Sequence, residues 1–140
     1  MILTTVFAAA LTVAAQAQGA PATDTPILGV AQASPDCGNL HNLAGRAFCV
    51  TAPIAVVGTL ADEYIRHFEA QGWLPADGDD NRVILVKRRE GGGCDGLQMV
   101  AFYDTAQPAT PEAPGYLGFA TVPGDVCAAQ PAAAEPAPAQ

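Results

Sequence analysis

The residues of this sequence best suited to chemistry by type and spacing are acidic. The stretch Asp77-Gly78-Asp79-Asp80-Asn81 has the D-x-D-x-N spacing that opens an EF-hand calcium loop. The remainder of such a loop is not there. Its sixth position is Arg82 where a glycine makes the sharp turn, and its twelfth is Arg88 where a bidentate glutamate closes the coordination shell. Asp, Asn and Gly at this density also form a turn unaided, because their side chains bond to nearby backbone. A helix-to-strand turn is therefore the expectation, and ion binding the alternative.

His67 comes next. Glu63, one helical turn earlier, could orient the ring for general-base work. A lone histidine on an amphipathic helix needs no such role, and a hydrolase built on it would also need a nucleophile. The only serine is Ser34, outside the segment that reads as a folded domain. Gly91-Gly92-Gly93 lacks the Lys-Ser/Thr pair and the following helix of a phosphate loop. Lys87-Arg88-Arg89, the one basic cluster, could meet an anionic partner, but Glu90 and Asp95 lie close enough in the chain to neutralise it.

Four cysteines, Cys37, Cys49, Cys94 and Cys127, remain. None forms a C-x-x-C pair, which removes the thioredoxin-like redox motif and the usual zinc-knuckle spacing together. A mixed site with His41 and His67 matches no ligand pattern. An even number of cysteines in a small exported chain reads as a disulfide framework, since the compartment is oxidising and a small core needs cross-links. No catalytic residue, cofactor site or metal set emerges, and an enzyme is the minority reading.

Export is the expectation because residues 2–15 are an uncharged Ala/Leu/Val-rich run followed by Ala15-Gln16-Ala17, the small-x-small pattern of a signal-peptidase site. The run is short of the roughly twenty residues that span a bilayer. The compartment implied is periplasmic or secreted, with no stable membrane span once the leader is removed. The chain has 140 residues and a formal charge of −8, with Lys87 its only lysine. Phosphate backbones need clustered cations, so nucleic acid is not an expected partner. High Ala, Gly and Pro, with five Arg to one Lys, has the flavour of a GC-rich bacterial genome.

The elements that must position these residues follow from periodicity. Residues 1–17 are expected to be a leader, 18–36 a disordered linker, 37–127 the domain, and 128–140 a disordered Ala/Pro-rich tail. Within the domain, Leu60, Ala61, Tyr64, Ile65 and Phe68 recur at helical spacing. Asp62 with Arg66 and Glu63 with His67 make i,i+4 pairs in the favourable order. Gly72 suits the left-handed residue past the helix end, with Trp73 folding back on Phe68. The start is either Thr59, with Asp62 as a capping-box partner, or Pro53 in a first turn after a Thr51 cap. The longer helix is favoured, with Gly58 tolerated inside it at roughly 1 kcal/mol.

Strands are expected over residues 82–89, 97–104 and 116–122, with a glycine-rich connection at 90–96 and a proline-rich loop at 105–115. The fold class is thus α+β: one main helix packed on a three-stranded antiparallel meander, stapled by disulfides and flanked by disordered segments. Phe68, Trp73, Met99, Phe102 and Phe119 are expected between the layers. The meander brings Cys94 and Cys127 to one end of the sheet, which leaves Cys37 with Cys49. A continuous helix suggested by Leu40, Leu43, Ala44, Ala47 and Phe48 would hold Cys37 and Cys49 roughly 18 Å apart, so a short turn of helix ending near Gly45 and then a reversal is expected there instead; sequence alone permits three connectivities.

The function that fits is a small exported cell-envelope protein acting as a non-enzymatic binding or accessory module, with a protein or glycan of the envelope as partner. The alternative is a small periplasmic ion-binding protein or hydrolase using residues 77–81 and His67.

Overall fold

Strand alternation sets the layers. In a computed structural model of the chain, which describes residues 25–127, Leu97 and Met99 on one strand and Leu117 and Phe119 on its neighbour are buried on the same face. Gln98, Val100 and Phe102, the residues between, face the other way and are half-buried. The elements in chain order are β1 Gln32–Ala33, a 3-10 turn Cys37–Asn39, β2 Phe48–Pro53, α1 Ile54–Ala70, β3 Leu74–Asp79, β4 Arg82–Arg88, β5 Cys94–Tyr103 and β6 Pro114–Val122. The strands form one six-stranded sheet in the order β1-β2-β6-β5-β4-β3, with every neighbouring pair antiparallel. The expected meander is its β4-β5-β6 part. The sheet has six strands and not three.

The three added strands have identifiable origins. β2 pairs with β6 from Phe48↔Phe119 to Pro53↔Pro114, a contact between segments far apart in sequence. Thr51 therefore sits in a strand, its hydroxyl donating to the Gly115 carbonyl at 2.8 Å rather than capping a helix. β3 is Pro-, Asp- and Gly-rich and exposed throughout, and it is held on one side only by β4. β1 lies within the expected linker, and that expectation is corrected as far as residue 25. Ala31 and Ser34 are buried, and Tyr64 in α1 donates to the Pro26 carbonyl at 2.7 Å while accepting from the Leu28 N–H at 3.1 Å. The segment is thus fastened across the helix by a buried phenol. The expected leader (1–17) and tail (128–140) lie outside the described residues.

α1 begins at Ile54, with Pro53 as the flanking residue and no side-chain cap. Its first N–H groups are satisfied from the proline-rich loop instead. Ile54 N–H donates to the Ala113 carbonyl at 2.8 Å and Ala55 N–H to the Pro111 carbonyl at 3.0 Å. The C-terminal stop forms as the residues suggest. Gly72 adopts φ 94°, and Trp73 N–H donates to the Phe68 carbonyl at 3.0 Å. Val57, Leu60, Tyr64 and Phe68 make the buried stripe, and Phe119 meets Tyr64 at 4.7 Å and Phe68 at 5.9 Å between ring centroids. Each fully buried aromatic or leucine here contributes roughly 1.5–3 kcal/mol.

Phe102 is not in that core. It stacks on Tyr116 on the opposite face, 5.3 Å between centroids, with His41 edge-on at 5.5 Å. Period-2 parity decides this: 97, 99 and 101 point to the helix, so 102 cannot.

The cysteines pair as Cys37–Cys49 and Cys94–Cys127, each with Cα atoms 5.3 Å apart. The segment from 37 to 47 reaches its partner without a helix beyond the 3-10 turn. Cys37, Asn39, His41 and Asn42 all take positive φ, along with Gly38 and Gly45, which coils the chain tightly enough to close the bond. The second pair joins the start of β5 to the chain just past β6. Asp125 completes that corner, its Oδ1 accepting from Cys94 N–H at 2.8 Å and Cys127 N–H at 3.0 Å.

Candidate functional site

Helix pitch and strand alternation together leave a gap beside α1. Val57, Ala61 and Ile65 line it from the helix, and Val83, Met99, Ala101 and Leu117 from the sheet. The turn Asp80-Asn81 joining β3 to β4 forms its far wall. That turn is docked by a reciprocal pair of bonds to β5: Ala101 N–H to the Asn81 carbonyl at 2.7 Å, and Asn81 Nδ2 to the Ala101 carbonyl at 3.1 Å. The cleft encloses about 270 Å³, just under the ~300 to 1,000 Å³ typical of small-molecule sites. Its floor is apolar, and Asp62, Asp79, Asp80 and Arg82 stand at its rim.

Asp79, Asp80 and Asn81 of the expected acidic loop thus form one wall of this cleft, as a strand-to-strand turn rather than a helix-to-strand one. Its carboxylates are spread out. Asp77 Oδ1 accepts from Gly78 N–H at 2.8 Å, and Asp79 pairs with Arg82 at 3.3 Å. Among the described residues, the one group of three acidic, histidine or cysteine side chains whose ligating atoms come within 4.8 Å of one another is Cys94, Asp125 and Cys127. Both of its sulfurs belong to the disulfide.

His67 is not brought to the loop. Its Nε2 meets Gln71 Nε2 at 2.9 Å and its ring lies edge-on to Phe68 at 5.4 Å. Glu63, its proposed orienting partner, lies over Gly29, where a Cβ would come within 2.9 Å of the carboxylate. The expected Glu63–His67 and Asp62–Arg66 pairs are absent from the ion pairs of the described residues, which are Arg82–Asp79 and Arg89–Asp95. Asp62 is left facing the cleft. The basic cluster 87–89 is tied down in part: Arg89 pairs with Asp95 at 2.8 Å and donates to the Gly124 carbonyl at 2.8 Å.

Sequence reasoning passed over two cleft residues. Asp62 stands two positions from Leu60 and from Tyr64 on the exposed side of α1, so the buried stripe gives no signal for it. Gly58 is an exposed glycine inside a helix, and a Cβ placed there would touch nothing within 4 Å. Glycine costs a helix interior roughly 1 kcal/mol relative to alanine. No packing constraint accounts for it, and it lies in the lining of the cleft.

The pKa of the Tyr64 phenol is displaced. Burial pushes its hydroxyl above the usual tyrosine value and the nearby Glu63 charge adds to that, while the hydrogen bond from Leu28 opposes both. It fastens the 25–31 segment and does not reach the cleft lining.

These features define a two-disulfide α+β protein with one helix laid on a six-stranded antiparallel sheet. No family model, curated protein or solved structure matches this chain. No described helix is long and apolar enough to cross a membrane.

Proposed function

We propose that this chain is an exported, non-enzymatic binding module of the cell envelope that receives its ligand in the cleft between α1 and the β3–β4 turn. The observation that carries the reading is the cleft itself: an apolar floor, a carboxylate rim and a glycine at the mouth where the helix would be steadier with alanine. Concave apolar sites with a few convergent polar groups are where small proteins bind. Export is supported by the small-x-small motif at Ala15-Gln16-Ala17 and by two disulfides, which persist in oxidising compartments.

The test is occlusion. Gly58→Phe places a ring over the mouth from an exposed position, so the fold should survive. Ligand-observed NMR with a set of small fragments is expected to give hits on the native chain that Gly58→Phe abolishes and Gly58→Ala retains. Fragments that bind both variants equally, or map outside the cleft, would end this reading.

A further inference from the structure

Resting on the cleft as a binding site, we propose that its occupant is the side chain of an arginine or lysine carried by a partner protein. Three properties converge on a cation with an aliphatic stem. Val57, Ala61 and Met99 on the walls offer apolar surface along which methylenes can lie. Asp62 and Asp80 at the rim are outside the ion pairs of the described residues, and carboxylates at the end of an apolar slot accept charge-assisted hydrogen bonds from a guanidinium or ammonium. Asp79 already makes such a contact with Arg82 of this chain at 3.3 Å. An anionic group would meet three carboxylates against one arginine, and the chain's charge of −8 repels it at longer range as well.

The size of the cleft argues for a polypeptide as carrier. About 270 Å³ has room for one long side chain. Affinity beyond that of a lone cation has to come from surface around the mouth, which a partner chain covers and a free amine does not.

The experiment uses the full exported chain with both disulfides intact, titrated and followed by two-dimensional amide NMR. The probes are three tripeptide amides, acetyl-Gly-X-Gly, in which X is arginine, its neutral isostere citrulline, or norleucine. The arginine peptide is expected to move amides of Val57, Ala61, Asp62, Asn81 and Ala101. Citrulline and the double variant Asp62→Asn/Asp80→Asn are expected to bind about fivefold more weakly, as loss of an exposed ion pair allows. Raising the salt should weaken the arginine peptide alone.

Equal affinity for arginine and citrulline at the cleft would overturn the cation while leaving the cleft as a binding site. Cleft shifts from none of the three peptides would remove both readings. Spermidine binding as tightly as the arginine peptide would overturn the partner protein as carrier.

Discussion

The two faces of the sheet are built by different means. On the helix side, Phe119, Leu117, Leu97 and Leu85 are fully buried, and Phe119 meets the Tyr64 and Phe68 rings of α1. On the other side Val86, Val100, Phe102 and Tyr116 are only half-buried. That face is held at its two ends by clasps. At one end the 37–47 segment lies over it: a Cβ on Gly118 would meet Cys49 Sγ at 3.4 Å, and one on Gly38 would meet the Tyr116 ring at 2.6 Å. At the other end Val126 sits over Gly96, where a Cβ would meet its Cγ1 at 2.7 Å. Each clasp is anchored by one of the disulfides. The helix side is stabilised by burial and the far side by covalent closure. Among the described residues, α1 alone can therefore serve as the covering helix of the sheet.

The sharpest way to break that contrast is a pair of truncations. Phe119→Ala is expected to cost about 3–5 kcal/mol by denaturant unfolding, as deletion of a fully buried ring does. Phe102→Ala should cost less than half of that, because its ring is partly solvated before truncation. Equal costs would mean that the far face is a second core.

Removing the clasps comes next. For the Cys37–Cys49 bond, replacing both cysteines by alanine is expected to cost about 3 kcal/mol from loop closure alone. Amide hydrogen exchange should rise across residues 38–47 while α1 and β6 stay protected. That segment has little regular structure and spends three non-glycine residues, Asn39, His41 and Asn42, at positive φ. Protection unchanged over 38–47 would show that the clasp stands without its bond.

The smallest effect belongs to Tyr64. Tyr64→Phe is expected to cost about 1 kcal/mol through the two lost hydrogen bonds, with the 25–31 segment loosened first. Because burial raises the phenol pKa, the folded chain holds that proton more tightly than the unfolded one. The stabilisation is complete below the ordinary tyrosine value of about 10, and it is lost as pH rises through the raised folded value. Alkaline titration of stability should therefore fall less steeply in Tyr64→Phe than in the native chain. Identical slopes would detach Tyr64 from the alkaline transition.

What could be read from residue order was what depends on neighbours. The α1 stripe, the Gly72–Trp73 stop and the core strands β4, β5 and β6 all follow from local periodicity. Cys94 and Cys127 could be brought together because a meander returns its third strand beside its second. Phe102 was expected in the core with Met99, and parity between the two already sets them on opposite faces. β2 and β3 were not. Phe48–Pro53 runs into a helical pattern without a break, and only pairing with β6 makes it a strand. Leu74–Asp79 has poor strand chemistry and is extended because β4 offers it an edge, with a register shift between Pro75 and Asp77. The cleft was half legible: its acidic turn stands out, but Asp62 and Gly58 join it only through the crossing of α1 over β4 and β5.

By itself, then, the residue order determined the helix, its buried stripe, the core hairpins and a pool of cysteines and carboxylates. Those properties arise from contacts a few residues apart or from side-chain type. Tertiary structure decided which strands close the sheet, which face Cys37–Cys49 guards, and which carboxylates look into one cleft. Each of these joins segments tens of residues apart, where the outcome is set by which surfaces can be buried together and not by the preference of any one segment.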